Sequence, residues 1–191
     1  MTEKGWHGRA VTSPRVIRNL ALVGFMGSGK STVGRLVARD LGLHFVDTDE
    51  LIEQRAGSRI SEIFATQGEA VFRAHEREIL GELVRGEGQV IATGGGLVCQ
   101  PGNMAVLKSG ALVVCLWAAA ETIWERVRSQ THRPLLQVPD PRAEVARLLA
   151  LREPYYRESD VLVNSGLRSL REVAMQVGHH FRSARKEASV T

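Results

Sequence analysis

Gly24-Phe25-Met26-Gly27-Ser28-Gly29-Lys30-Ser31-Thr32 fits the spacing G-x-x-x-x-G-K-[ST], a phosphate-binding loop set between a strand and a helix. The flanks supply that setting. Leu20-Ala21-Leu22-Val23 is a short apolar run suited to a buried strand, and Val33, Leu36, Val37 and Leu41 recur at helical spacing. Three glycines close together allow a tight turn that aims several N–H groups at one point. The following helix adds its own free N–H groups and the positive end of its dipole. Lys30 then reaches the β- and γ-phosphates, and the Ser31 hydroxyl ligates Mg2+. An incidental glycine-rich turn explains neither the lysine nor the spacing, so the stretch is read as a nucleotide phosphate site.

Outward from this loop, apolar runs alternate with helical patterns, which predicts parallel strands joined by helices. His44-Phe45-Val46 reads as a second strand, ending in Asp47-Thr48-Asp49. Residues 50–84 are helical in pattern but interrupted at Gly57 and Gly68. That is too much chain for one crossover helix, so part of it is expected to project as a small substrate-binding lobe. Gln89-Val90-Ile91-Ala92 reads as the next strand and runs into Thr93-Gly94-Gly95-Gly96. The run from Ala111 to Trp117 is the clearest buried strand, followed by a helix over 121–128. Residues 129–141 hold Pro134, Pro139 and Pro141 and little periodicity, and their length suits a mobile lid. A helix over 142–152 is expected to stop before Pro154, because proline disfavours helix at the residue before it. Val161-Leu162-Val163 is a last short strand, and a helix over 169–181 closes the chain.

At 191 residues the chain suits one domain with a proper core. Residues 1–18 read as a disordered leader without the apolar segment of a secretory signal, 19–182 as the domain, and 183–191 as a flexible tail. No stretch approaches the roughly 20 apolar residues of a membrane-spanning helix. A net charge of +4 admits nucleic acid as a partner. However, Lys and Arg are spread along the chain, and arginines that grip anionic small molecules explain the excess as well. Cys99 and Cys115 lack metal-like spacing and read as buried free thiols of a reducing cytosol. The expectation is a cytoplasmic monomer with neither a nucleic-acid nor a membrane partner.

In an open parallel sheet, ligands sit at the carboxyl ends of the strands, where the polar and glycine clusters fall. Asp47 and Asp49 point to the same side if the strand continues through them. One can support Mg2+ while the other takes a proton from an acceptor hydroxyl, unless one merely caps a helix beginning near Leu51. Arg73 and Glu76 are three apart on a helix, so the glutamate can fix the arginine fork for a carboxylate. Gly94-Gly95-Gly96 allows close approach of a ligand to the backbone. Arg133 sits in the expected lid, a recurring place for a cation that stabilises transferred charge. Trp117 and Trp124 read as core.

Taken in order, GFMGSGKS, DTD, FRAHE, TGGG, HRPLL and REPYY resemble the shikimate kinase family over residues 19–181. The resemblance implies an α/β fold of the nucleoside-monophosphate-kinase type: a three-layer P-loop kinase with about five parallel strands, a lid over 129–141 and an acceptor lobe over 50–84. It implies phosphorylation of the 3-hydroxyl of shikimate by ATP with Mg2+ as cofactor, a step toward chorismate and aromatic amino acids. It also implies site residues. Gly27, Ser28, Gly29, Lys30, Ser31 and Thr32 hold the ATP phosphates, Ser31 ligates the metal, and Asp47 supports it through water. Asp49 binds the shikimate hydroxyls and is the candidate base. Arg73 and Arg152 hold the carboxylate, and the backbone of Gly94, Gly95 and Gly96 contacts ring hydroxyls. Arg133 reaches ATP from the lid, and Arg168 lies near the adenine. The rival readings are a related kinase acting on gluconate or a nucleoside monophosphate, and a non-catalytic nucleotide-binding module. The arginine pair argues against the second acceptor and against the module.

Overall fold

Each of the expected apolar runs becomes a strand in the computed structural model, which describes residues 15–129, 136 and 138–188. The strands are β1 (Asn19–Val23), β2 (His44–Asp47), β3 (Gln89–Ala92), β4 (Ala111–Trp117) and β5 (Val161–Asn164). They form one parallel sheet in the order β2-β3-β1-β4-β5. Central β1 is buried at every residue, as a strand covered on both faces must be.

The period-2 alternation of β1 builds two cores from one segment. Leu20 and Leu22 face Val33 and Val37 of α1 (Lys30–Leu41) and Val173, Val177 and Phe181 of α8 (Leu170–Ala188). Ala21 and Val23 face the opposite layer. That layer contains α5 (Asn103–Gly110), α6 (Ala120–Val127) and α7 (Pro141–Tyr156), which contribute Leu107, Ile123, Val127, Val145 and Leu149. Three layers result. Trp117 and Trp124 pack, partly buried, against this second cluster, and Cys115 lies inside it.

Between β2 and β3 the chain forms α2 (Thr48–Ala56), α3 (Ile60–Thr66) and α4 (Glu69–Leu83). The breaks fall at Gly57 and Gly68, whose φ angles of +64° and +84° favour glycine. Ile52, Ile63, Phe72, Ile79 and Leu83 join Ile91 of β3 in a third apolar cluster that holds these helices to the sheet.

Four expectations need correction. The leader was expected through residue 18, but Ile17 is buried, Arg15 pairs with Asp160, and the Arg18 amide donates to the Gly110 carbonyl at 3.1 Å. The tail was expected from residue 183, yet α8 continues to Ala188, because Ala184 prolongs the apolar face begun by Val173 and Val177. The helix expected to stop before Pro154 runs through it to Tyr156. A proline inside a helix costs about 3 kcal/mol. Burying roughly 200 Å2 of an aromatic side chain returns about 5 kcal/mol, and Tyr156 is 1% exposed. Finally, the strand does not continue through Asp49. It ends at Asp47, which caps α2 by accepting the Asp49 amide at 3.0 Å. Helix α5 and a short 3-10 turn over Leu97–Cys99 lie where no element was expected.

Candidate active site

The carboxyl ends of β1, β2 and β3 open into a cavity of about 550 Å3. The loop after β1 forms its floor. Gly24 and Gly27 have φ of +135° and +73°, and neither has room for a side chain. A Cβ at Gly24 would run into the Leu116 carbonyl of β4, and one at Gly27 would lie 2.6 Å from Val127 Cγ1 of α6. The loop is therefore shaped by two elements remote in sequence. Gly29 caps α1 without a side chain, and the first turn of α1 has no acidic residue. Its amides and dipole are left to an anion. Ser28 is buried within the loop, while Gly27, Gly29, Lys30, Ser31 and Thr32 line the cavity.

Lys30 Nζ donates to the carbonyls of Gly24 (2.9 Å) and Phe25 (3.0 Å), which holds the ammonium over the loop. Ser31 Oγ donates to Asp47 Oδ2 at 2.6 Å. Capping by Asp47 Oδ1 leaves Oδ2 directed at this hydroxyl, so one carboxylate serves the helix and the site together. Asp47 and Asp49 both line the cavity, although one ends a strand and the other sits in the first turn of a helix.

Beyond β3, Thr93 Oγ1 donates to the Leu22 carbonyl at 3.1 Å, and Thr48 Oγ1 accepts the Gly94 amide at 2.9 Å. The three following glycines each face a different charged side chain. A Cβ at Gly94 would lie 2.5 Å from Asp49 Oδ1, at Gly95 3.8 Å from Arg152 Nη1, and at Gly96 3.4 Å from Arg73 Nη1. None of the three has a positive φ. Close approach excludes a side chain at Gly94, whereas Cβ atoms at Gly95 and Gly96 would make ordinary contacts.

Arg73 Nη1 donates to Glu76 Oε2 at 2.7 Å, and Nη2 and Nε donate to Glu69 Oε1 at 2.8 and 3.1 Å. Glu76 is 1% exposed. Burial pushes its carboxyl pKa up, the Arg73 guanidinium pulls it back, and the nearby charge of Asp49 adds to the rise. Burial opposes the charge on Arg73, but its hydrogen bonds to Glu76 and Glu69 more than compensate and raise its pKa. Arg152 stacks over the Phe25 ring at 5.6 Å. Both arginines act on Cys99, where burial raises the thiol pKa while Arg152 and then Arg73 oppose it.

Arg168 lines the cavity, as does an arginine that sequence reasoning missed. Arg126 of α6 donates to the Gly27 carbonyl at 3.2 Å and to the Ser165 carbonyl at 2.7 Å, joining the phosphate loop to the segment after β5. Nothing in WERVR marks it, because its partners come from distant parts of the chain. Arg133, with most of the expected lid, lies outside the described residues.

Comparison with known proteins bears on this geometry. A family profile described as shikimate kinase matches residues 26–181. The shikimate kinase of Thermodesulfovibrio yellowstonii is 44% identical over 161 residues, 84% of this chain and 93% of that protein. The one from Pseudomonas aeruginosa strain LESB58 is 48% identical over 160 residues, 83% and 93%. Among solved structures, shikimate kinase from Acinetobacter baumannii in complex with shikimate has a TM-score of 0.83 and 37% identity, covering 88% of this chain and 95% of that one. A gluconokinase from Sinorhizobium meliloti has a TM-score of 0.56 and 16% identity, with 92% and 98% covered, a likeness of fold alone.

Proposed function

The chain belongs to the shikimate kinase family, and we propose on that premise that it transfers the γ-phosphoryl group of ATP to the 3-hydroxyl of shikimate. The products are ADP and shikimate 3-phosphate, on the route to chorismate and the aromatic amino acids. The observation that carries the reading is the glycine turn after β3. It places Asp49, Arg152 and Arg73 against three consecutive residues, beside a phosphate loop. Asp49 lines the same cavity as the phosphate loop, and the two arginines approach Gly95 and Gly96 of the turn beside it.

The kinase reaction uses ATP with a divalent metal ion, and we assign Mg2+. The Ser31 hydroxyl and Asp47 carboxylate, 2.6 Å apart, are hard oxygen donors of the kind this ion takes. Ser31 would ligate it and Asp47 would hold it through water. Once bound, the ion neutralises charge building on the β- and γ-phosphate oxygens.

The protein groups divide the remaining work. Amides of Gly27, Ser28, Gly29 and Thr32 cradle the phosphates, and Lys30 exchanges its loop carbonyls for γ-phosphate oxygens. Arg73 and Arg152 hold the carboxylate of shikimate away from the reacting end. The backbone of Gly94, Gly95 and Gly96 fixes ring hydroxyls, and Asp49 accepts the proton of the attacking one. Arg133 completes the charge on the transferring group, and Arg168, with Arg126, faces the nucleoside. Positioning of both reactants and electrostatic stabilisation of the transferring group together account for nearly all of the acceleration in this chemistry. We take the acting unit to be a cytoplasmic monomer. No described helix is long and apolar enough to cross a membrane.

The test is ADP release from ATP in the presence of shikimate, gluconate, quinate or a nucleoside monophosphate. Turnover confined to shikimate supports the reading. Faster turnover of gluconate or of the nucleotide would overturn it.

A further inference from the structure

Tyr156 is the last residue of REPYY, and unlike Tyr155, which is 40% exposed, it is 1% exposed. It sits in the last turn of α7, beyond Pro154, at the only position there that points into the core. Its hydroxyl donates to the Gly95 carbonyl at 2.7 Å. Gly95 is the middle residue of the glycine turn, lines the cavity, and packs back on the phosphate loop. A Cβ there would lie 3.4 Å from the Met26 amide and 3.7 Å from the Gly24 carbonyl. Arg152, one turn before Tyr156 on the same helix, also approaches Gly95, its Nη1 3.8 Å from where a Cβ would stand.

We propose that Tyr156 is a positioning residue that clamps the Gly95 carbonyl, and so sets the distance between the acceptor-binding backbone of the glycine turn and the carboxylate-binding Arg152. The inference rests on the shikimate reading of the cavity. The physical argument is one of competing mobility. A turn of three glycines has more conformational freedom than any other tripeptide, so each bond that holds it matters to the geometry of the site. Gly94 is held by Thr48 and by the Leu97 amide, and the Gly96 carbonyl by the Cys99 amide; the Tyr156 hydroxyl fixes the remaining, central carbonyl, at the residue whose neighbours face Asp49 and Arg73. The same helix turn carries Arg152, so clamp and guanidinium move as one body. Burial raises the phenol pKa, against the opposing influence of Arg152, so the hydroxyl stays protonated and remains a donor throughout the neutral range.

Tyr156→Phe keeps the ring and deletes the donor. Losing one net hydrogen bond should raise KM for shikimate about tenfold, leave KM for ATP within about twofold, and leave the melting temperature within a few degrees. Tyr155→Phe should change none of these. The chain has two tyrosines, so 3-fluorotyrosine labelling gives two 19F resonances, assigned through Tyr155→Phe. Saturating shikimate should shift the Tyr156 resonance and ADP alone should not, a readout that survives even if Tyr156→Phe fails to fold. Unchanged KM for shikimate in a folded Tyr156→Phe, or a Tyr156 resonance indifferent to shikimate, would overturn the clamp. If the wild-type protein failed to turn over shikimate at all, the shikimate reading itself would be lost, a separable outcome.

Discussion

Replacing Gly94 with alanine tests the site at its tightest point. Gly94 lies outside the left-handed region, so its backbone accepts alanine without strain. The new Cβ, however, would stand 2.5 Å from Asp49 Oδ1, where an ordinary contact begins near 3.4 Å. Asp49 must therefore retreat by roughly 1 Å. It cannot share the displacement easily with Glu76, whose Oε1 is 3.3 Å from the same point and whose Oε2 is held by Arg73. A misplacement of about 1 Å in a reacting group costs on the order of 10²-fold in rate, or about 2.7 kcal/mol of barrier. Steady-state kinetics with a coupled ADP assay should then show kcat lowered about a hundredfold, with KM for ATP within about twofold because the phosphate loop is untouched. Gly96→Ala is the matched control. Its Cβ would meet Arg73 Nη1 at 3.4 Å, so its effect should be small and confined to KM for shikimate. Gly94→Ala with kcat within about threefold of wild type would refute the argument that Asp49, held at this spot, takes part in the chemistry.

Other expectations are more direct. Lys30→Ala should cost at least 2–3 kcal/mol of transition-state stabilisation, about 10²-fold in kcat, and metal chelation should abolish turnover while the circular dichroism spectrum persists. Near wild-type kcat in Lys30→Ala would remove the lysine from the mechanism. Arg73→Ala should raise KM for shikimate and also destabilise the fold by about 3 kcal/mol near neutral pH, because it leaves a buried Glu76 unpaired. The sign follows from the raised pKa of Glu76. Folding disfavours its charged form, so stability from this group is present at low pH and lost as pH rises through the folded-state value. Without Arg73 that value rises further, and the penalty measured by urea unfolding should shrink as pH falls toward 5. A penalty constant with pH, or one not relieved by adding Glu76→Gln, would count against this account.

How much was legible follows from how local each feature is. The phosphate loop is readable because its amides, lysine and hydroxyl must be contiguous. Gly57 and Gly68 mark helix breaks because the positive φ is a property of single residues. Arg73 and Glu76 can be paired from spacing because one helix carries both. What escaped depends on distant partners. Pro154 obeys a local rule that the burial of Tyr156 overrides. The cap on α2 falls to Asp47 because the pairing of β2 with β3 ends there, with Asp47 opposite Ala92. Arg126 has no signature because its acceptors, Gly27 and Ser165, lie 99 and 39 residues away.

The strand order has a consequence for the protein's birth. β1 is translated first yet ends at the centre of the sheet. Leu20 pairs with Val90 on one side and Leu112 on the other, partners 70 and 92 residues further on. The ribosome must therefore release nearly half of the chain before the central strand has its first neighbour and well over half before it has both, and until then a mostly apolar segment is without its cover. The phosphate loop inherits the delay. It leaves the exit tunnel early, but the surfaces that shape it, the Leu116 carbonyl under Gly24 and Val127 against Gly27, are synthesised about a hundred residues later. A nascent chain halted before α6 carries the whole nucleotide motif but lacks both Val127, which packs where a Gly27 side chain would stand, and Arg126, which holds the Gly27 carbonyl.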